Sequence, residues 1–533
     1  MLKNNLLILA SIIMLYLLLL HFNSTNYFIT SILNLAYDVI KHGHIPTKSD
    51  RILTFWEWHE NQFIHYPGSY LTYAIINLIA GIDICVARFI PILFLYMFIA
   101  IYLLVSIFIE STTLRAIFTF IFAFTWLAAF PHTWMISYHA LGYFSHILTV
   151  YLLTKILITK QKSIAYIIDA IVIVLIYIIA LFNYYATSSF SIFFVFFLLV
   201  SYALVYRSIR SMTLITYFII FFIFLILFIL FDYTYRIFIF KSDFLGQSLS
   251  YIITSVINYI TQSVGSRKLF LFGLPADRTF VEIIILQLRV LLIVLFIVLT
   301  IAIVFWRNIQ WSIRAPLVVL LLASVGTGVF ESIPYAYVLG GVNLRYFQLY
   351  SSIIFILIMF KLVTVRQLGV RSRVILLFFV IFSLIIITGN GVISYMDKIN
   401  HNWSIKPSLS NLAEYSEIYT ILGNNMRIKA SFQVSGELRF VEVCLHNLNK
   451  KIINSPFLED TYFIYSNIQN KTYFNIKEKY KRWFLVFSLL DFEKPVWGDV
   501  WGYATPPFDA SFLHVIKTYF NIYYNSEMFL IVN

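Results

Sequence analysis

Long apolar runs, separated by short polar or basic stretches, recur along the chain until about residue 393 and then stop. Candidate spans fall at 5–21, 86–109, 114–130, 135–155, 164–182, 187–206, 212–231, 285–306, 315–333, 346–363 and 374–393. Each is close to the roughly 20 residues a helix needs to cross about 30 Å of hydrocarbon. The runs are continuously apolar rather than alternating, which predicts helices and argues against a transmembrane β-barrel. Two other stretches read differently. Phe28, Ile29, Ile32, Leu33, Ala36, Val39 and Ile40 share one helical face, with Asn34, Asp38 and Lys41 on the other and Gly43 and Pro46 closing the stretch. Such a helix lies on a membrane surface instead of crossing it. The second stretch, "YPGSYLTYAIINLIAG" (66–81), is apolar but short.

Composition agrees with this pattern. Of 533 residues, 61% are hydrophobic and 12% charged, and the mean hydropathy is +0.85. A water-soluble chain of this length could not hide so much apolar surface. The first run, Leu6 to Leu20, has no small-residue cleavage site and reads as a retained helix. Cys85 and Cys444 lie far apart in sequence and suggest no metal-ligand cluster.

Charge decides how the runs thread the membrane. If 66–81 does not span, one set of short loops collects Arg115; Lys155, Lys160 and Lys162; Arg207 and Arg210; Arg307 and Arg314; and Lys361, Arg366, Arg371 and Arg373, with Lys3 on the same side. Short cytoplasmic loops are rich in Lys and Arg, so this layout puts the N-terminus inside. Counting 66–81 as a span would turn the later clusters outward, so it is read as a second interfacial or re-entrant helix. The net charge of +13 then follows from membrane orientation, and no nucleic-acid partner is expected.

The expected fold is a polytopic α-helical membrane protein with about eleven transmembrane helices in residues 1–393. Its outer side carries a first loop (22–85) with interfacial helices, a large loop (232–284), and a small external α/β domain (394–533). In that last segment "KASFQV", "RFVEVCL", "RWFLVFSLL" and "MFLIVN" read as strands and "NLAEYSEIYTILGNN" as a helix. N-x-[ST] sequons at Asn23, Asn402 and Asn470 all fall in segments assigned to the outside.

The order of a hydrophobic span, an amphipathic helix, "GHIP", "YPGSYLTYAIINLIAG" and "DICVARFIPILF" resembles the N-terminal half of the GT-C superfamily. These are membrane glycosyltransferases that use polyprenyl-phosphate sugars, protein mannosyltransferases and aminoarabinose transferases among them. Tyr66-Pro67-Gly68 takes the place of the family's Pro-containing opening to the second surface helix, and Gly81 and Arg88 match its entry to the next span. The ending "YFNIYYNSEMFLIVN" is similar to the closing strand pair of archaeal members. The resemblance covers most of the chain as an architecture, but only these short elements as motifs.

The resemblance implies a general base immediately after the first span, usually acidic. This chain has "HFNSTNYF" there, and Asn26 stands near the family position. An amide can orient a hydroxyl but cannot take its proton. Candidate replacement bases are Asp38, Glu57 and Glu60; for Asp38 the alternative is a solvated charge beside Lys41. His59, Trp56 and Trp58 surround the two glutamates and suit sugar binding, although Trp is also a common interfacial anchor. Tyr66 belongs to the same substrate face. The resemblance gives Arg345 a grip on the lipid phosphate, against the alternative of a snorkelling anchor. Arg267, Lys268 and Arg278 in the large loop are further phosphate candidates, against the favoured alternative of ordinary loop charges. His132, His139 and His146 recur every seven residues, but haem ligation would need an opposing histidine on another span.

The expected function is transfer of a sugar from a polyprenyl-phosphate donor to an extracytoplasmic acceptor at the cell membrane, in contact with membrane lipid. A divalent metal is a cofactor such chemistry can use. The alternatives are an inactive GT-C relative that binds glycolipid or scaffolds a complex, and, less favoured, a transporter.

Overall fold

The computed structural model describes residues 27–45, 67–84, 92–129, 138–158, 163–183, 185–206, 211–234, 292, 294–303, 309–338, 350–365, 368–400, 428–430, 484–488, 522–525 and 529–532. The chain divides into two compact units, one of residues 1–22 with 91–401 and the other of 23–90 with 402–533. The expected span at 5–21 and half of that at 285–306 lie outside the described residues.

The larger unit is helical. Its elements are α3 (Ile92–Phe108), α4 (Thr112–Ala129), α5 (Tyr138–Ile158), α6 (Ser163–Asn183), α7 (Tyr185–Tyr206), α8 (Met212–Phe231), α9 (Trp311–Val338), α10 (Ser352–Val363) and α11 (Val370–Asn400). A further apolar helical segment covers Val294–Ile303. Among the described residues six helices are long and apolar enough to cross a membrane: α5, α6, α7, α8, α9 and α11. Their surfaces fit lipid. Ile164, Ile167, Ile168, Ile171 and Leu175 line the exposed side of α6, and Phe218, Ile219, Phe222 and Ile226 that of α8.

Helix pairing gives the bundle one basic end. Tyr96 of α3 meets Phe144 of α5 at 5.6 Å, and Tyr350, just before α10, meets Tyr143 at 6.3 Å, so α3, α5 and α10 start at the same end. Phe193 and Phe197 of α7 face Phe330 at 4.3 and 6.3 Å, while a Cβ added at Gly326 would reach Phe197, so α9 runs antiparallel to α7. Tyr217 near the start of α8 donates to the Leu153 carbonyl near the end of α5, at 3.0 Å. Lys361 at the end of α10 reaches Glu110 in the α3–α4 turn, at 3.3 Å. Arg115, Lys155, Arg314, Lys361, Arg371 and Arg373 therefore share one end of the bundle.

Several buried hydroxyls inside the helices turn back on their own backbone. Thr125, Ser145, Thr149, Ser191, Thr216, Thr300 and Thr327 each donate to the carbonyl four residues earlier, at 2.8–2.9 Å. This is how a polar side chain sits in a helix with no water beside it.

The smaller unit contains α1 (Tyr27–His42) and α2 (Pro67–Ala80), which pack on each other. α1 buries Ile32, Leu33, Leu35 and Ala36, while Lys41 and His42 are exposed. α2 buries Pro67, Ser69, Tyr70, Tyr73 and Ala74 and leaves Ile75, Leu78 and Ile79 exposed. Both helices close on glycines in the left-handed region, Gly43 at φ 72° and Gly81 at φ 64°, where a side chain would strain the backbone. The same unit has a four-stranded sheet in the order β1 (Ile428–Ala430), β2 (Phe484–Ser488), β4 (Phe529–Val532), β3 (Ile522–Asn525). β1 runs parallel to β2, and β4 pairs antiparallel with both β2 and β3. β2 and β4 fall inside the stretches "RWFLVFSLL" and "MFLIVN". "RFVEVCL" and the stretch expected to be helical lie outside the described residues.

Candidate functional site

Asp38 is the one expected site residue that the structure describes. It stands on the last two turns of α1, half-buried, on a helix whose Ile32, Leu33, Leu35 and Ala36 are closed off from solvent. Asp38 as a residue is partly accessible, which suits either a solvated charge or a proton acceptor. The packing of α1 on α2 gives that residue a rigid base. Thr72 donates to the Gly68 carbonyl at 2.6 Å, and Asn77 donates across the glycine turn to the Ile82 carbonyl at 3.0 Å, so the end of α2 is tied to the chain leaving it. Asn26, Trp56, Glu57, Trp58, His59, Glu60, Tyr66 and Arg345 lie outside the described residues, as do Arg88, Arg267, Lys268, Arg278 and His132.

A second polar group lies within the bundle. His146 is fully buried on α5, and its Nδ1 is 2.8 Å from Ser191 Oγ on α7. Ser191 Oγ also donates to the Thr187 carbonyl at 2.9 Å, which ties the His146 contact to the α7 backbone. Tyr350 stands edge-on to the imidazole at 4.4 Å, and Phe190 and Phe194 enclose it at 5.9 and 6.3 Å. Ser351, next to Tyr350, donates to the Ser324 carbonyl of α9 at 3.1 Å. α5, α7, α9 and the start of α10 are thus joined around one histidine. Among the described residues the imidazole is fully enclosed, and its contacts join these helices. The sequence singled out His146 but not Ser191 or Tyr350. The available signal was the hydroxyl cluster Thr187, Ser188, Ser189 and Ser191 in one half of an otherwise apolar span.

Lys155 and Asp169 form an ion pair between α5 and α6, with both carboxylate oxygens 3.1 Å from the ammonium. This is a structural clasp near the basic end. Among the described residues no group of three His, Cys, Asp or Glu side chains converges as metal ligands do. The chain matches no protein-family model, and no curated protein is significantly similar to it.

Proposed function

We propose that this chain is a GT-C-like membrane glycosyltransferase that moves a sugar from polyprenyl phosphate to an acceptor on the outer side of the cell membrane. The proposal includes about eleven spans, a cytoplasmic N-terminus and an external C-terminal α/β domain. The observation that carries it is the grouping of residues 23–90, which hold the packed pair α1–α2, with 402–533 in one compact unit. These are two of the three segments that the charge pattern assigns to the outer face of the membrane. At 14 residues, α2 is about 21 Å long, short of the roughly 30 Å of hydrocarbon, which supports its reading as a surface helix. The shared basic end of the bundle supports an inside assignment for that end.

In this reading a carboxylate of the first loop takes the acceptor's proton, the acceptor oxygen attacks the anomeric carbon, and polyprenyl phosphate leaves against Arg345. Glu57 and Glu60, flanked by Trp56, Trp58 and His59, and Asp38 on α1 are the candidates for the base; Tyr66 and Asn26 would orient the sugar or the acceptor. The test is sugar transfer in membranes from a panel of polyprenyl-phosphate donors. Replacing the true base by its amide lowers the rate on the order of 10²-fold or more. Arg345→Lys raises the donor KM, because a point charge replaces a planar fork. Wild-type rates for Glu57→Gln, Glu60→Gln and Asp38→Asn alike would remove this site.

One observation favours a second reading. The family position of the acid is occupied by Asn26, which supports a non-catalytic glycolipid-binding or scaffold protein of the same architecture. Absence of transfer by wild type across the donor panel, with glycolipid still bound, would decide for it.

A further inference from the structure

We propose that the corner of the bundle made by the start of α4, the end of α10 and the start of α11 binds the headgroup of an anionic phospholipid. The acyl chains of that lipid run down the exposed stripe of α11. This inference does not depend on the transfer reaction.

The corner is a built contact. Phe118 of α4 meets Phe360 of α10 at 5.0 Å, Lys361 reaches Glu110 at 3.3 Å, and α11 packs on both α4 and α10. Four cations, Arg115, Lys361, Arg371 and Arg373, stand here against one carboxylate among the described residues, that of Glu110. Arg115 is committed to the Ile109 and Glu110 carbonyls and tightens the α3–α4 turn. Glu110 has a side chain 93% exposed, so it screens Lys361 only weakly.

Arg371 is the exposed cation, and among the described residues it makes no ion pair or hydrogen bond through its side chain. Three and four residues on, along the same face, come Val374 and Ile375; Phe378 follows at seven. Ile381 and Ile385 continue the stripe, and every one of the five is at least half exposed. Leu114 and Ile117 on neighbouring α4 add exposed apolar surface. A guanidinium heading an apolar stripe at a helix end matches a phosphate joined to acyl chains, with the charge at the interface and the stripe in hydrocarbon. The other described cations of this end are engaged differently: Lys155 is held by Asp169, and Arg314 lies over the Trp311 ring at 4.8 Å. They supply the control.

The test uses the full chain in phosphatidylcholine nanodiscs containing a minority of phosphatidylglycerol, with retained lipid read by native mass spectrometry after transfer to detergent. Wild type retains phosphatidylglycerol over phosphatidylcholine. Arg371→Gln lowers that retention about fivefold, the effect of one basic residue near an anionic surface, and adding Lys361→Gln lowers it further. Glu110→Gln, which removes the competing carboxylate, raises it, and Arg314→Gln leaves it unchanged. Equal retention of the two lipids would overturn the proposal. So would an Arg314→Gln loss as large as that of Arg371→Gln, which would assign the effect to the whole basic end. Release of the retained lipid by millimolar inorganic phosphate would also overturn it, since the acyl chains would then contribute nothing.

Discussion

Gly326 carries no side chain at the point where α7 and α9 meet. A Cβ built there would lie 2.5 Å from the Phe197 ring, at its base as well as its edge, so the ring cannot step aside by a small rotation alone. Gly326→Ala is expected to destabilise the detergent-solubilised protein by about 1–3 kcal/mol, the usual range for overpacking. Adding Phe197→Leu should recover most of that loss, whereas a loss unaffected by Phe197→Leu would assign the cost to the helix itself. Thermal unfolding of the two variants distinguishes these outcomes. Sequence alone did not mark this glycine, because hydropathy treats a span as a sum over residues and does not record which ring stands opposite. His146 shows a similar limit. Its sevenfold spacing with His139 and His132 was legible, but Ser191 and Tyr350, its neighbours in space, lie 45 and 204 positions away in sequence.

The Lys155–Asp169 clasp joins α5 to α6 where the sequence showed two charges near the ends of neighbouring spans. Both oxygens of the carboxylate serve one ammonium, and Asp169 is only 7% exposed. Asp169→Asn keeps the shape and leaves a lysine without its charge partner. The expected cost is about 2 kcal/mol, below the range for fully buried pairs because the Lys155 side chain is about one-third exposed. Lys155→Met with Asp169→Leu should recover much of it, and thermal denaturation of the single and double variants measures the coupling. Helices as such were readable from continuous hydropathy, but their ends were less so. α9 covers Trp311–Val338 where 315–333 was expected, and α11 covers Val370–Asn400 where 374–393 was expected. Hydropathy stops where lipid contact stops, whereas backbone hydrogen bonding continues into polar sequence such as the Arg-Ser-Arg of residues 371–373. On α1 the apolar face predicted Ile32, Leu33 and Ala36, and burial adds Leu35 because α2 covers a wider arc than one stripe. β1 overlaps "KASFQV" only at Lys429 and Ala430, since the parallel partner β2 is far off in sequence and leaves no local signal for the register.

The two compact units interleave along the chain, and this bears directly on how it crosses the membrane. Residues 23–90 leave the bundle after the first predicted span and group with 402–533, which follow its last helix. If both segments lie on one face, an odd number of crossings separates residues 22 and 91 from the basic end on either side, and α2 must not add one. Counting α2 as a span would send Lys160 and every later basic cluster outward, against the excess of Lys and Arg expected in short cytoplasmic loops. The expected result is that single cysteines introduced at position 450 react with a membrane-impermeant maleimide from outside intact cells, and that position 160 reacts only after permeabilisation. Position 78, on the exposed apolar end of α2, should resist the aqueous reagent and accept a lipid-soluble one, since Ile75, Leu78 and Ile79 present a surface that water does not favour. Labelling at 160 but not at 450 in intact cells would invert the layout, and with it the assignment of the first loop and the C-terminal segment to the face where a polyprenyl-phosphate sugar would be used. The corner of Lys361 and Arg371 would then lie in the outer leaflet, with its lipid specificity unchanged, because the cations and the α11 stripe belong to the bundle and turn with it.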